Sequence, residues 1–190
     1  MTASEIFKGL SFDDATEELI NSRLQQLEIG KGDVLLKPDD IVQYQYYVAE
    51  GCLRSFFIDH TAKEHTIQFA ISDWWISDYT AFYKQERAIL YIECIQKATL
   101  FRLSRKDMIE ILNLRSDVER FFHFKTESYI SSFQKRILGD LSKTAKERYT
   151  DFVRHYPNIE QSVKNYHIAS YLGITSESLS RIRKELLEKN

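Results

Sequence analysis

Cysteine, glycine and proline are scarce in this chain of 190 residues, which has only 2 Cys, 6 Gly and 2 Pro. Cys52 and Cys94 lie far apart and outside any Cys-x-x-Cys pattern, which argues against a disulfide scaffold, a structural zinc site or an iron–sulfur cluster. The chain also lacks a Gly-x-Ser-x-Gly motif, a His-Glu-x-x-His motif and a Gly-rich phosphate loop. We therefore expect a protein that is not an enzyme and holds no metal.

Long hydrophobic runs are absent as well. No window reaches the roughly 18 uninterrupted apolar residues that a membrane helix needs, and the first residues, MTASEIFKGL, carry no secretory signal. We expect a cytoplasmic protein that does not contact a membrane. With 43% hydrophobic and 28% charged residues, the chain can bury the core of one sizeable domain and a smaller one.

Short strands dominate the sequence up to about residue 106. The β-branched and aromatic residues are concentrated in the segments DVLLK, YQYYVAEG, CLRSFFID, EHTIQFA and YIECIQKATLFRLS. Turn signals separate these segments, among them Gly51. Short strands at regular spacing are typical of a compact β-barrel or β-roll. Residues 4–27 have a helical pattern instead, with Ser11 as a candidate cap.

Apolar residues change to helical spacing between about residues 105 and 141. The pattern predicts one long helix, in which an apolar residue recurs from Val118 to Ile137 at steps of four, seven, four and four. Such a stripe packs either against its own domain or against the same helix of a second copy, and we favour the second copy because paired helices bury it well. The predicted dimer residues are Val118, Phe122, Tyr129 and Phe133.

The segment IASYLGITSESLSRIRKEL, from Ile168 to Leu186, predicts two short helices that meet at a turn. Its apolar residues form two patches at helical spacing. Gly173 tolerates the positive φ of a turn, and Thr175 can cap a second helix that starts at about Ser176. The outer face of that helix then carries short polar and charged side chains, as a helix that reads base edges requires. A plain helical hairpin with a solvated outer face is the alternative.

Charge is distributed unevenly along the chain. The net charge of −2 and the pI near 6.2 argue mildly against nucleic-acid binding. Residues 133–190, however, contain 11 Lys plus Arg against 7 Asp plus Glu. Positive charge therefore accompanies the candidate reading helix, where contact with phosphates requires it.

Together these segments resemble the Crp/Fnr family of bacterial transcription regulators, and the resemblance covers nearly the whole chain. Its most specific part is IASYLGITSESLSRIRKEL, which is also similar to the short, Bacteroidetes-type members of the family. YYVAEGCLRSFFID resembles the strand–Gly–strand element of the family's β-roll.

The resemblance implies an α+β fold in three parts. Residues 1–106 would form a cyclic-nucleotide-binding-like antiparallel β-roll, a double-stranded β-helix of the cupin or jelly-roll type, with flanking helices. Residues 107–138 would form a long dimerisation helix, and residues 139–190 a winged helix-turn-helix domain. A helix between residues 141 and 156 and a break at Pro157-Asn158 would precede the helical hairpin.

The resemblance also implies partners and reading residues. The protein would bind double-stranded DNA as a homodimer and contact RNA polymerase. The base-contacting positions of the family's reading helix correspond here to Ser176, Glu177 and Arg181, with Ser176 in place of a frequent Arg. The candidates for phosphate contacts, which position a protein without specifying sequence, are Ser178, Ser180, Arg183 and Lys184.

The effector site departs from the family pattern. Members that bind cyclic nucleotides resemble one another in a Gly-Glu pair for the ribose and an Arg-Ser/Thr-Ala run for the phosphate. Here Ser77-Asp78 and the run ERAIL stand in those places. We therefore predict no cofactor and no standard cyclic nucleotide, so that the effector is another small molecule or is absent. The candidate pocket residues are Trp75, Ser77, Asp78, Tyr79, Arg87 and Ala88.

Two further alternatives stay open at the level of sequence. The aromatic residues of the same segment either fill the pocket or line a pocket for a flatter ligand. Separately, His65 or His123 could ligate haem iron, although a lone His is more often structural. A competing hypothesis for the whole chain is a ligand-binding or protein-interaction module whose helical hairpin is a docking surface. DNA binding would differ from that in a steep dependence on salt.

Overall fold

The computed structural model describes residues 1–156, 159–160 and 163–188, so the break predicted at Pro157-Asn158 lies outside the described residues. The elements, in chain order, are α1 (Ala3–Ile6), α2 (Asp14–Arg23), β1 (Gln25–Ile29), β2 (Val34–Leu36), β3 (Tyr44–Ile58), β4 (Glu64–Ala70), β5 (Trp74–Ile76), α3 (Tyr79–Lys84), β6 (Tyr91–Ser104), α4 (Arg105–Leu114), α5 (Ser116–Ser142), α6 (Ala145–His155), α7 (Asn165–Leu172) and α8 (Ser176–Leu187). No helix in these ranges is both long and apolar enough to cross a membrane.

One six-stranded sheet contains all of these strands. Its order is β1-β6-β3-β4, with β2 paired to β6 and β5 paired to β3. β1 and β2 run antiparallel to β6, and β5 runs antiparallel to β3. The predicted α+β class with an antiparallel sheet is therefore confirmed. β4 stands last in this order, so its outer edge has no strand neighbour in the described part of the chain.

β3 is a single strand of 15 residues, whereas the sequence indicated a turn at Gly51. Gly51 has φ +94 and lies against β6, so that a Cβ atom there would stand 2.3 Å from the carbonyl oxygen of Lys97 and 2.6 Å from the Cα of Ala98. Glycine is required because it alone adopts this φ without strain and lets the two backbones approach so closely. Gly51, which suggests a turn in the sequence, therefore lets β3 continue alongside β6.

Two helix predictions were wrong in extent. α2 begins at Asp14 with Asp13 as its cap, not at Ser11, and it ends at Arg23, so that β1 occupies residues that the helical pattern had included. The helix predicted from residue 105 to residue 141 is two helices, α4 and α5. They are separated at Arg115, which has φ −138 and ψ 99 and pairs with Asp117 at 2.6 Å.

The chain divides into two compact units. The first comprises Met1–Ser55 and Phe69–Glu127, and the second comprises Phe56–Gln68 and Ser128–Asn190. The core of the first unit lies around the sheet and includes the fully buried side chains of Tyr47, Leu53, Phe82, Ile92 and Leu100. The boundary falls inside α5 and inside the hairpin of β3 and β4.

Candidate nucleic-acid interface

The second unit contains the predicted helical hairpin. α7 and α8 are joined by Gly173–Thr175, where Gly173 has φ +66 and the amide of Ile174 donates to the carbonyl of Ala169 at 3.0 Å. The apolar residues that the sequence directs inward are buried, namely Ile168, Ala169, Leu172, Leu179 and Ile182. The hairpin and its inner face are therefore confirmed, while its role in DNA binding stays a prediction.

α8 begins at Ser176, as predicted, because Thr175 caps it. The hydroxyl oxygen of Thr175 accepts from the amide of Ser178 at 3.2 Å, which satisfies one of the free donors at the helix start. Glu177 lies in the first turn, and hydrogen bonds from its own backbone amide and from Thr175 lower the pKa of its exposed carboxyl. Glu177 is thus a charged acceptor at the positive end of the helix dipole.

The outer face of α8 carries four exposed side chains at helical spacing, namely Glu177, Ser180, Arg181 and Lys184. Arg181 has no hydrogen bond or ion pair with any residue that the structure describes, and Lys184 has only a distant carboxylate, that of Glu188 at 3.9 Å. A free guanidinium can donate to the O6 and N7 atoms of guanine, and a carboxylate can accept from the amino group of cytosine. Ser176 and Ser178 lie half-buried beside this face.

Arg183 faces α6 and the start of α7, and its predicted contact with a phosphate stays a prediction. Its Nε lies 3.1 Å from a carboxylate oxygen of Glu160 and donates to the hydroxyl of Tyr149 at 3.2 Å. Its Nη1 donates to the side-chain oxygen of Asn165 at 2.5 Å. Arg183 therefore joins α8 to α6 and to the start of α7, and its donors are used within the protein.

A wing is not confirmed. β6 ends at Ser104, and none of the described residues that follow it belongs to a strand. α6 instead precedes the hairpin, with a capping box in which Thr144 and Glu147 bind each other's backbone amides. The helix predicted between residues 141 and 156 thus begins at Ala145.

The candidate effector residues are engaged within the first unit. The carboxylate of Asp78, whose residue is 1% exposed, accepts from the amides of Ala81 at 3.2 Å, Ile89 at 2.8 Å and Leu90 at 3.1 Å. Buried Ser77 donates to a backbone carbonyl at 3.0 Å. The carboxylate of Asp78 therefore binds the backbone of the segment that follows α3.

The remaining members of that set also have contacts within the first unit. Arg87 is exposed and donates to the carbonyl of Asp39 at 2.6 Å, and Ala88 is buried. Trp75 packs in the core against Tyr47, with ring centres 5.4 Å apart. Tyr79 stacks on Tyr83 at 6.3 Å. Of the two alternatives for the aromatic residues, Trp75 and the fully buried Phe82 match the one in which they fill the interior.

The histidines considered as haem ligands have protein surroundings of their own. The Nε2 of His65 lies 2.7 Å from a carboxylate oxygen of Asp59, and its ring stacks on Phe57 at 4.8 Å. His123 is exposed, with its Nδ1 3.7 Å from Glu127. The described residues contain no group of three or more His, Cys, Asp or Glu side chains that could hold a metal ion.

The predicted dimer stripe is only partly available. Val118 and Phe122 are buried in the core of the first unit, whereas Tyr129 is half-buried and Phe133 is exposed. Their role in a dimer stays a prediction. Farther along α5, four of the exposed apolar residues follow steps of three, four and four, which places them on one face. They are Ile130, Phe133, Ile137 and Leu141. Phe133 and Ile137 also belong to the stripe predicted from the sequence, whereas the burial of Val118 and Phe122 cannot be read from spacing.

The fold is similar to several solved structures at low sequence identity. FixK2 from Bradyrhizobium japonicum is 18% identical, with a TM-score of 0.77 over 87% of this chain and 85% of that one. A transcriptional regulator of the Crp/Fnr family from Eubacterium rectale is 16% identical, with a TM-score of 0.73 over 94% and 85%. The c-di-GMP responsive global regulator CLP from Xanthomonas campestris is 13% identical, with a TM-score of 0.72 over 93% of each chain.

These similarities establish a Crp/Fnr-like fold and nothing finer. No protein-family profile matches the chain, and no curated protein matches it in sequence.

Proposed function

We propose that this protein is a sequence-specific DNA-binding transcription regulator that acts as a homodimer and has no enzymatic activity. The observation that carries the proposal is the outer face of α8, where Glu177, Arg181 and Lys184 are exposed and Arg181 has no partner in the described part of the chain. The structural neighbours support the proposal, because they are regulators with the same fold.

The reading helix would enter the major groove of double-stranded DNA. Ser176, Glu177 and Arg181 would face base edges, and Ser178, Ser180 and Lys184 would face phosphates. Arg183 is not among the proposed phosphate contacts, because its guanidinium is bound to Glu160 and Asn165. Contact with RNA polymerase stays a prediction from the family resemblance.

The exposed stripe of α5 supports the homodimer. An apolar helix face of this length is costly to leave in water, and the same face of a second copy would cover it under two-fold symmetry. Two copies would present two reading helices to a palindromic site about one helical turn apart. The proposed interface therefore consists of Ile130, Phe133, Ile137 and Leu141, in place of the set that included Val118 and Phe122.

The contacts of Asp78 support the proposal that no standard cyclic nucleotide binds at the corresponding site. Ile89 and Leu90 end the run ERAIL, which stands in the place of the family's phosphate-binding run, and their amides already bind the carboxylate of Asp78. A phosphate placed there would also face that negative charge at close range. We therefore propose that the regulator binds DNA without a cyclic nucleotide effector.

The test is selection of genomic DNA fragments by the purified protein, without added effector. Arg181→Ala is compared with Arg120→Ala, which removes an exposed Arg of α5 in the first unit. We expect the wild type and Arg120→Ala to enrich one palindromic sequence, and Arg181→Ala to lose about 5-fold to 150-fold in affinity, the range for one bidentate contact with guanine. Binding should weaken steeply as salt rises. Failure of the wild type to enrich any sequence would favour the docking-module hypothesis.

A further inference from the structure

Ser170 of α7 is bound to the edge strand β4. Its hydroxyl oxygen accepts from the amide of Thr66 at 2.8 Å and from the hydroxyl of Thr66 at 3.2 Å, and it donates to the carbonyl of Glu64 at 2.8 Å. A serine hydroxyl has one donor and two acceptor sites, and all three are used here. Ser170 thus takes the place of a neighbouring strand at this point of β4.

Arg136 of α5 connects the same strand to the end of α7. It donates to the carbonyls of Ile67 and Thr66 in β4, the latter at 3.0 Å, and to the carbonyl of Tyr171 at 2.9 Å. Its guanidinium carbon also lies 4.0 Å from the centre of the Tyr171 ring. The planar fork of arginine can serve several carbonyls and a ring at once, which a lysine cannot do.

A second guanidinium completes the attachment. Arg148 of α6 donates to the carbonyl of Leu172 at 3.2 Å, and its Nε lies 3.6 Å from a carboxylate oxygen of Asp140 on α5. The other oxygen of Asp140 lies 4.0 Å from Arg136. The last carbonyls of a helix have no partner within that helix. Those of Tyr171 and Leu172 are therefore satisfied by side chains of α5 and α6.

We infer that Arg136 and Ser170 are positioning residues for DNA reading. They fix α7, and with it the packed helix α8, in one orientation relative to α5 and to the hairpin tip Phe56–Gln68. Arg136 lies between Phe133 and Ile137 of the exposed stripe, so it connects the proposed dimer helix directly to α7. In a homodimer this attachment sets the distance between the two copies of α8.

The inference rests on the proposed function and adds a separate consequence. Arg136 and Ser170 do not lie on the outer face of α8, so they should not change which bases one half-site contains. They should change how strictly the spacing between two half-sites is enforced, because spacing depends on the orientation of α8 relative to the dimer helix.

The experiment uses the whole 190-residue chain and a library of paired half-sites, which are taken from the wild-type selection and separated by spacers of different length. Arg136→Gln and Ser170→Ala are compared with Lys135→Gln and Ser131→Ala, which alter exposed neighbours on α5. We expect the wild type and both controls to prefer one spacing. In each test variant the ratio of affinity for the preferred spacing to affinity for other spacings should fall about tenfold, which corresponds to the loss of one charged or buried hydrogen bond. The affinity for a single half-site should stay unchanged.

Hydrogen exchange gives a readout that does not depend on DNA. The amide of Thr66 donates to Ser170, so its exchange should accelerate in Ser170→Ala and stay slow in Ser131→Ala, while the amides of α8 keep their protection. Arg136→Lys, which retains the charge without the fork, should relax spacing in the same direction as Arg136→Gln.

Each outcome has one meaning. Relaxed spacing with an unchanged half-site sequence and affinity supports the inference. The wild-type spacing preference in both Arg136→Gln and Ser170→Ala would overturn it and leave the proposed function intact. Equal losses for single and paired half-sites would also overturn it, because they indicate general destabilisation. If the wild type enriches no DNA, the proposed function fails and the inference fails with it.

Discussion

Arg183 and Glu160 form an ion pair, with Nε and a carboxylate oxygen 3.1 Å apart and about a quarter of each side chain exposed to solvent. Arg181, two positions earlier on the same helix, faces outward. Two arginines of α8 that look equivalent in the sequence therefore have different tasks, one in holding the helix and one on its outer surface.

Replacement of Arg183 with alanine should lower stability. The change removes the cationic partner of Glu160, whose carboxylate keeps the hydroxyl of Tyr149 as a donor, and takes a donor from the side chain of Asn165. We expect a loss of about 1–3 kcal/mol in the free energy of unfolding. Urea unfolding measures it. Arg181→Ala is the matched control and should unfold like the wild type. A larger loss in Arg181→Ala than in Arg183→Ala would contradict this assignment.

Replacement of Ile137 with glutamate should convert the proposed dimer to a monomer. Two carboxylates would then meet in an apolar interface, and their desolvation opposes association. Sedimentation velocity measures the mass. Leu114→Glu, which alters an exposed leucine of α4 away from the stripe, should leave the mass unchanged. If Ile137→Glu sediments like the wild type, the copies do not associate through this face.

Two glycines should respond to alanine in opposite directions. Gly51→Ala should destabilise by about 3 kcal/mol or more, because the new methyl group would stand 2.3 Å from a backbone oxygen at a positive φ. Gly139→Ala should stabilise by about 0.5–1 kcal/mol, because Gly139 lies inside α5 and its nearest neighbour is a flexible lysine carbon at 3.8 Å. Thermal unfolding of the pair checks both signs, and a stable Gly51→Ala would show that β3 and β6 can separate there.

The buried thiols should make stability fall at alkaline pH. Burial raises the pKa of Cys52 to about 12 and that of Cys94 to about 11, from an ordinary value of 9.0. Above pH 9 the thiols ionise in the unfolded chain but stay protonated in the folded one, so unfolding becomes more favourable as pH rises toward 11 and 12.

Urea unfolding from pH 8 to pH 11 measures this slope, and Cys52→Ala should flatten it. At pH 8 neither thiol should react with a thiol reagent until the protein unfolds, because the thiolate is the reactive form and both residues are buried. Rapid labelling of the folded protein would contradict the burial of these residues.

Local spacing was sufficient to predict the hairpin of α7 and α8. The cap at Thr175, the turn at Gly173 and the buried positions Leu179 and Ile182 all follow from interactions within a few residues, and each was confirmed. The strands with β-branched and aromatic residues were found for the same reason. β1 was missed because it lacks that composition, and β5 was missed because it is only three residues long.

The remaining features depend on residues that are distant in sequence. Gly51 is needed because of Ala98, and Arg183 turns inward because Glu160 and Asn165 are there to receive it. The contact of Ser170 with Thr66 joins positions 104 residues apart. No periodicity within one segment can indicate such partners, since they are brought together only by the fold.

The carboxylate of Asp78 supplies the anion that the amides of Ile89 and Leu90 bind. A loop that wraps around a dissolved anion is ordered only when that solute is present at sufficient concentration. Here the anion is covalently part of the chain, so its effective concentration at the two amides is fixed and cannot be diluted. The conformation of this loop therefore does not depend on the concentration of a dissolved anion.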